Sequence, residues 1–245
     1  MSGFPVEICL DQADHVRFLS PETCQRIEMC SLLEEDGLTP SPVSVKTVCE
    51  SGFEVVAMVR PRPGDFCYTG EEIDQMKRIV PDLLSAGASG IVLGLLDSQG
   101  RIPEKDLCEL VQMCEGHPVT FHRAFDHCSG RSEDLEILIA SGCQRVLTSG
   151  GAATAWEGRE ELQRLVIQAD SRIDIIAGGG VRPGHAAKLI AATGVPWIHL
   201  SARRESSHPD PDLLRELQAE LASICLLYTS PSPRDVEESR MPSSA

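Results

Sequence analysis

Two cysteines near the start of the chain could bind a soft metal ion. Cys9 lies in the segment VEICLD (6–11), and Cys30 ends the segment QRIEMC (25–30). Both segments read as short strands, and strand parity points the two thiols toward the same side of a sheet at equivalent levels. Such a pair could share Cu(I), which prefers sulfur ligands. The alternative is that both are buried thiols in a packed layer.

A second group of residues could perform acid–base chemistry. Glu28 shares a strand face with Cys30, while His122 and Asp126 lie in the segment PVTFHRAFD (118–126). A histidine and a carboxylate that orient one another form a general acid–base pair, so these three residues are the catalytic candidates. A hydrogen-bonded core histidine is the alternative interpretation.

Arginines and glycine turns indicate an anionic ligand, a phosphate or a carboxylate. Glycine turns after predicted strands 6 and 7 offer backbone amides at close approach, and barrels often bind phosphate there. The alternatives are tight turns for the glycines and ion pairs with Glu28 or Asp126 for the arginines. The expected ligand-binding residues are Asp11, Arg60, Arg123, Ser149, Gly150, Gly151, Gly178, Gly179, Gly180, Ser201 and Arg203.

Several other chemistries are disfavoured. All four lysines, at positions 46, 77, 105 and 188, fall on predicted helices, which argues against a Schiff-base aldolase. No CxxC pair or HExxH motif is present, and no GxGxxG follows the first strand, so neither a structural zinc site nor an organic cofactor is predicted.

An alternation of strands and helices must position these residues. Amphipathic segments separate the strands, and several end at a glycine, the usual residue past a helix C-terminus. The segment after the first strand is the weakest helix, because Pro21 interrupts it. Strict alternation predicts a parallel sheet, closed as a single-domain (β/α)₈ TIM-type barrel, with a doubly wound open sheet as the alternative. The predicted strands are 6–11, 25–30, 54–61, 89–97, 118–126, 144–151, 173–181 and 197–204, and the clearest helices are 71–87, 104–116, 132–142, 186–194 and 210–224.

Composition narrows the class of partner. The 245 residues carry a formal net charge of −15, which disfavours nucleic acid and anionic membrane surfaces as partners. No apolar run is long enough to span a bilayer, and the first residues lack the pattern of a secretory signal. The ten cysteines are therefore expected to be reduced thiols in the cytoplasm.

The last stretch, 225–245, differs in character from the rest of the chain. It contains three prolines and five serines and has no apolar periodicity, so a disordered terminus is one interpretation. The DNA of a sequencing adapter, translated in a single reading frame, can also encode this stretch. We therefore predict a barrel over 1–224, truncated before its native C-terminus, followed by a translated adapter tail over 225–245.

The strand ends resemble those of the CutC family, which is named for copper homeostasis. The motifs that carry the resemblance are RIEMC with DGLTPS, RPRPGDFCYTGEEI, VTFHRAFD, RVLTSGG and AGGGV, in order over about 5–203. The resemblance implies a TIM-type barrel, a cytoplasmic location, a homo-oligomer (a homodimer or a homotetramer) and Cu(I) binding at Cys9 and Cys30. No reaction is assigned to the family, so an enzyme acting on a small anionic or phosphorylated substrate remains the alternative. The chain departs from the family pattern at SPETCQ (20–25) and after Arg203.

Overall fold

The computed structural model describes residues 4–204 and 206–228. Eight parallel strands close into a barrel in which strands adjacent in sequence are adjacent in space and the last pairs with the first. This confirms the predicted (β/α)₈ TIM-type barrel and excludes the open sheet. The strands are β1 (Val6–Leu10), β2 (Arg26–Met29), β3 (Glu54–Val59), β4 (Gly90–Leu93), β5 (Val119–Phe121), β6 (Arg145–Thr148), β7 (Asp174–Ala177) and β8 (Trp197–Leu200).

Helices surround the barrel. The segment after β1 forms only a 3-10 helix (Ala13–Phe18), as the interruption by Pro21 suggested. Over the described part of the chain, none of the helices is long and apolar enough to cross a bilayer. The α-helices are α1 (Pro42–Cys49), α2 (Gly70–Ser85), α3 (Glu104–Met113), α4 (Arg131–Ala140), α5 (Arg159–Ala169), α6 (Ala186–Thr193) and α7 (Pro211–Tyr228).

Helix α7 bears on the predicted boundary at residue 224. Its backbone continues to Tyr228, into the stretch assigned to the adapter tail. Residues 229–245 of that predicted tail lie outside the described residues.

The predicted strands are too long at their carboxyl ends. The segment 118–126 was expected to be one strand, but β5 stops at Phe121 and a 3-10 helix covers Arg123–His127. The reason is local, because the His122 side chain accepts a hydrogen bond from the Ala124 amide at 3.1 Å and caps that helix. The polar strand ends are therefore loops at the rim of the barrel.

Strand parity places the core as expected. Val6, Ile8 and Leu10 of β1 are fully buried in the large cluster between the strands and the helices. The opposite face of the barrel wall carries polar residues and a small apolar layer. That interior layer consists of Cys30, Val56, Met58 and Val92. Above this layer, the carboxyl ends of the strands surround a cavity.

Candidate functional site

A cavity of about 430 Å³ lies at the carboxyl ends of the strands, the face that carries function in TIM barrels. Half of the sequence-predicted site residues line it, from β1, β2, β3, β5, β7 and β8 or the loops that follow. They are Cys9, Glu28, Arg60, His122, Arg123, Gly179, Gly180 and Ser201.

Arg60 brings a buried positive charge to the cavity. Its guanidinium donates to the carbonyl oxygens of Glu35 at 2.6 Å and Gly64 at 3.0 Å, and it lies over the Phe66 ring at 5.1 Å. Arg60 is only 3% exposed, and its Nε has no partner. Within the described residues its guanidinium donates to carbonyl oxygens only. Because carbonyl groups carry no net charge, this cation still lacks a negative counterpart.

His122 is held as a neutral ring. Its Nδ1 accepts from the Ala124 amide, so the ring proton of the neutral form lies on Nε2. Burial, with the nearby Arg60 guanidinium acting in the same direction, lowers the pKa of His122 to about 3. Nε2 has no hydrogen-bond partner. His122 therefore presents a free N–H donor on the wall of the cavity.

Glu28 presents the opposite chemistry. Its Oε2 is buried without a partner, and the side chain lies on the cavity wall. Burial raises the pKa of Glu28 to about 7, with the negative charge of Glu7 acting in the same direction against the attraction of His199 and Arg26. A carboxyl group with this environment is able to exchange a proton near neutral pH.

Below Glu28, Glu7 connects two buried cations. One carboxylate oxygen accepts from Arg26 Nε, and the other lies 2.8 Å from His199 Nδ1. Burial alone would raise the pKa of Glu7, but Arg26 and His199 outweigh it and lower the pKa to about 2. Burial also opposes a charge on His199, while Cys9, Glu28 and Glu7 raise its pKa well above 6.5. The sequence holds a signal for this cluster, because Glu7 and Arg26 share the strand parity of Cys9 and Glu28. Glu7, Arg26 and His199 were nevertheless not among the predicted site residues.

Asp126 does not orient His122, which corrects the predicted acid–base pair. Its carboxylate accepts from the Ser149 amide at 2.9 Å, the Gly151 amide at 3.1 Å and the Thr148 hydroxyl, and it forms an ion pair with Arg123 at 2.8 Å. The 3-10 turn that His122 caps directs Asp126 away from the ring and toward the loop after β6. Asp126 therefore anchors that loop and fixes Arg123.

The other predicted ligand residues lie beside the cavity and do not line it. Asp11 forms an ion pair with Arg203, which ties the end of β1 to the loop after β8. Gly178 lies against Leu147, where an added Cβ would come within 2.6 Å of the leucine Cδ1. Three more predicted residues belong to the loop that Asp126 anchors, namely Ser149, Gly150 and Gly151.

The two cysteines do not lie at equivalent levels. The register pairs Cys9 with Glu28, so Cys30 stands one level higher, beyond the end of β2. The shift arises because β2 starts with Arg26 opposite Glu7, two positions out of step with a Cys9–Cys30 pairing. Cys9 lines the cavity, whereas the Cys30 thiol donates to the Leu10 carbonyl at 3.3 Å.

Further lining residues escaped the sequence interpretation. Phe66 packs against His122 with the ring centroids 5.0 Å apart. Arg182 adds a cation just past the glycine run that follows β7. Phe66 lies in the loop between β3 and α2, where strand alternation does not apply. The sequence therefore gave no indication that its side chain faces the cavity. The cavity wall also includes Met58, His127, Leu147 and His199.

The fold and the site define a class of protein: a TIM-type barrel with a polar cavity at the carboxyl ends of its strands. The cavity is lined by several cationic side chains, and some of the polar atoms of its lining residues have no hydrogen-bond partner. The sequence profile of the CutC family matches residues 4–204. The chain therefore belongs to the CutC family, as the strand-end motifs predicted.

Curated relatives and a solved structure agree with this assignment. The chain is 42% identical over 205 residues to a CutC family protein from Histophilus somni, covering 82% of this chain and 84% of the relative. It is 40% identical over 194 residues to the CutC protein of Caulobacter vibrioides, covering 79% of each. A crystal structure of CutC from Streptococcus agalactiae, described as a proposed copper homeostasis protein, matches with a TM-score of 0.78 and 29% identity, covering 81% of this chain and 98% of that one.

Proposed function

We propose that this protein binds a small anionic molecule in the cavity and acts on it as an enzyme. One observation carries the proposal: three lining residues each hold a buried polar atom without a partner, namely Glu28 Oε2, Arg60 Nε and His122 Nε2. An unsatisfied buried polar atom costs about 1–3 kcal/mol. A ligand that pairs with these atoms offsets that cost, so the cavity favours a polar guest.

The charges around the cavity select an anion. Arg60 lacks a carboxylate partner, and Arg182 hydrogen-bonds only the Val181 carbonyl, at 2.8 Å, within the described residues. Gly179 and Gly180 turn the backbone at φ values of 96° and 71°, which lets the main chain approach a guest closely. A cavity of about 430 Å³ suits a small metabolite. A phosphorylated or carboxylated molecule fits these features.

The unpaired atoms also supply reactive groups. His122 Nε2–H donates toward the guest, and the free Glu28 carboxyl exchanges a proton or binds a cation. Asp126 contributes indirectly, because its ion pair with Arg123 and its hydrogen bonds to the loop after β6 position that cation. The three catalytic candidates thus keep a place in the proposal, with Asp126 as a positioning residue.

A thermal-shift screen against phosphate monoesters and small carboxylates tests this function. A guest of the right class raises the melting temperature, and Arg182→Gln reduces that rise because it removes a lining cation. Arg164→Gln is the matched control, since Arg164 is an exposed residue of α5 whose side chain is 75% exposed. A flat response to every anion would contradict the proposal.

Copper binding is a second candidate, and the sulfur atoms around the cavity favour it. Cys9 lines the cavity, and Cys30 packs in one layer with Met58, whose thioether is another soft donor. The types of donor fit Cu(I). The relative from Streptococcus agalactiae, described in terms of copper homeostasis, supports the same function. Against it, burial raises the pKa of the Cys30 thiol and the nearby Cys9 acts in the same direction, so Cu(I) must displace a firmly held proton.

An anaerobic Cu(I) titration tests the second candidate. The Cys9→Ser, Cys30→Ser double variant is expected to lose one equivalent of bound Cu(I). Cys24→Ser, Cys114→Ser is the matched control, because both thiols are fully buried in the helix-facing core away from the cavity. An unchanged stoichiometry in the cavity variant would refute Cys9 and Cys30 as the copper ligands.

A cytoplasmic location and a homo-oligomeric state belong to the same proposal. Nine cysteines of the described chain are free thiols, which suits a reducing compartment. The family resemblance supports a homodimer or a homotetramer. Light scattering coupled to size-exclusion chromatography measures the oligomeric state. A molar mass equal to that of one chain would refute the homo-oligomer.

A further inference from the structure

A cluster of three ionisable side chains lies at the floor of the cavity. One donor atom from each of Glu7, Glu28 and His199 lies within 4.8 Å of the donor atoms of the other two, and all three residues are buried. They come from the adjacent strands β1, β2 and β8, where Glu7 faces His199 across the seam that closes the barrel. Barrel closure therefore builds this cluster from opposite ends of the chain.

One atom of the cluster has no partner. Glu7 uses both carboxylate oxygens, on Arg26 and on His199 Nδ1. Glu28 is 3% exposed and lies on the cavity wall, yet its Oε2 has no hydrogen-bond partner. A buried carboxyl oxygen without a hydrogen-bond partner, beside a second carboxylate and an imidazole, is a donor atom available to a ligand.

We propose that Glu7, Glu28 and His199 bind one divalent first-row transition ion such as Mn²⁺, Fe²⁺ or Zn²⁺. Two carboxylates and one imidazole are the hard-to-borderline donors that these ions accept, whereas Cu(I) prefers sulfur. Three protein ligands leave coordination positions open, as in catalytic metal sites. Those positions face the cavity that the anionic guest is proposed to occupy.

The charges and the reach of the side chains suit such an ion. Two carboxylates balance its double charge, and Arg26 stays on the remaining Glu7 oxygen, where it orients the ligand as outer-sphere partners do. Ligand atoms about 2.1 Å from an ion lie about 3.4 Å apart in a tetrahedral site, so the side chains must close in slightly. The ion also replaces the proton shared between Glu7 and His199. With the ion bound, Glu28 is a ligand, and His122 contributes its Nε2–H as a hydrogen-bond donor to the guest.

Electron paramagnetic resonance of Mn²⁺ tests the site on the full chain after chelator treatment. Mn²⁺ is the probe because the cysteines of this chain bind it weakly compared with softer ions. We expect one tightly bound Mn²⁺ per chain and at least tenfold weaker binding in Glu28→Gln and His199→Gln. Asp36→Asn is the matched control, since Asp36 is a cavity-lining carboxylate outside the cluster. Cys9→Ser must also keep the ion, which separates this site from the proposed copper ligands.

A second measurement keeps the proposal refutable if a variant fails to fold. Pulsed spectroscopy of the wild-type Mn²⁺ complex should resolve a nitrogen coupling from His199. Three results would each overturn the site: absence of tight Mn²⁺, Fe²⁺ and Zn²⁺ binding, absence of the nitrogen coupling, or wild-type Mn²⁺ affinity in both Glu28→Gln and His199→Gln. Arg182→Gln should lower the anion-induced thermal shift without changing Mn²⁺ affinity, so failure of the anion proposal and failure of the metal proposal give different results.

Discussion

A Cβ atom at Gly94 would overlap Cε1 and Nδ1 of the His122 ring. The ring of His122 therefore occupies the space that any other residue at position 94 would fill, just past the end of β4. The Nδ1 of this ring accepts from the Ala124 amide, while Nε2 has no partner and the residue lines the cavity. The glycine is part of the site although it offers no side chain to it.

Gly94→Ala should therefore push the His122 ring out of place. Overpacking of this kind costs about 1–3 kcal/mol of folding free energy, and the anion-induced thermal shift should fall with it. Urea unfolding and the thermal-shift screen measure the two effects. Gly70→Ala is the control, because a Cβ added at this position, at the start of α2, would meet no atom within 4 Å. A Gly94→Ala protein with unchanged stability and unchanged ligand response would show that the ring is not held by this contact.

The depressed pKa of His122 predicts a specific loss of stability in acid. In the folded protein the pKa of His122 is about 3, because burial and the charges of Arg60 and His127 outweigh the opposing charge of Asp126. In the unfolded chain the pKa of this histidine is 6.5. Below pH 6.5 the unfolded chain binds a proton that the folded chain refuses. The stabilisation is thus complete above pH 6.5 and is lost as the pH falls toward 3, by up to about 1.4 kcal/mol per pH unit.

His122→Asn should flatten that acid dependence. Asparagine can still accept from the Ala124 amide through its side-chain oxygen, but it does not titrate. Urea unfolding at several pH values between 3 and 7 measures the slope for both proteins. His117→Asn, at an exposed position between α3 and β5, should leave the slope as it is. Equal slopes for wild type and His122→Asn would mean that His122 is not the group responsible.

Asp126→Asn should disturb the loop after β6 more than the ring of His122. The substituted amide would place N–H donors where the Ser149 and Gly151 amides already donate, and Arg123 would lose its ion pair. Removal of one partner from a buried charged network costs about 3–5 kcal/mol. Chemical denaturation measures the loss, with Asp14→Asn as the exposed control, where the expected change is within about 0.5 kcal/mol. If both variants lose the same stability, Asp126 does not anchor the loop.

The sequence predicted the barrel well because both of its signals are local. Hydrophobic alternation in β1 separates Val6, Ile8 and Leu10 from Glu7 and Cys9, and glycines such as Gly87 and Gly142, at positive φ, end the helices as predicted. The same parity turned the polar residues inward. Within each strand, the local periodicity was therefore sufficient to predict which side chains face the interior of the barrel.

Relations between strands were harder to predict. Cys9 lies opposite Glu28 because of the register between β1 and β2. That register is a property of the pair and is not encoded in the sequence of either strand alone. The His122 ring accepts a hydrogen bond from the Ala124 amide and caps a 3-10 helix, so the strand does not continue past Phe121. Asp126 therefore lies on the side of the loop after β6 and not beside the ring. His199 joins Glu7 only when the barrel closes. These contacts depend on closure and register, which periodicity does not contain.

The floor of the barrel yields the last prediction. Arg26 is fully buried, forms an ion pair with Glu7 and lies over the Trp197 ring at 4.0 Å. Arg26→Met keeps much of the apolar packing but leaves the Glu7 carboxylate buried beside His199 alone. Breaking a buried pair from one side costs about 3–5 kcal/mol, so this variant should be strongly destabilised. The double variant with Glu7→Gln removes the stranded charge and should recover a large part of the loss, because an uncharged pair needs no counterion. Urea denaturation of the four proteins of the cycle gives the coupling energy. A coupling near zero would mean that Arg26 stabilises the floor through Trp197 and not through Glu7.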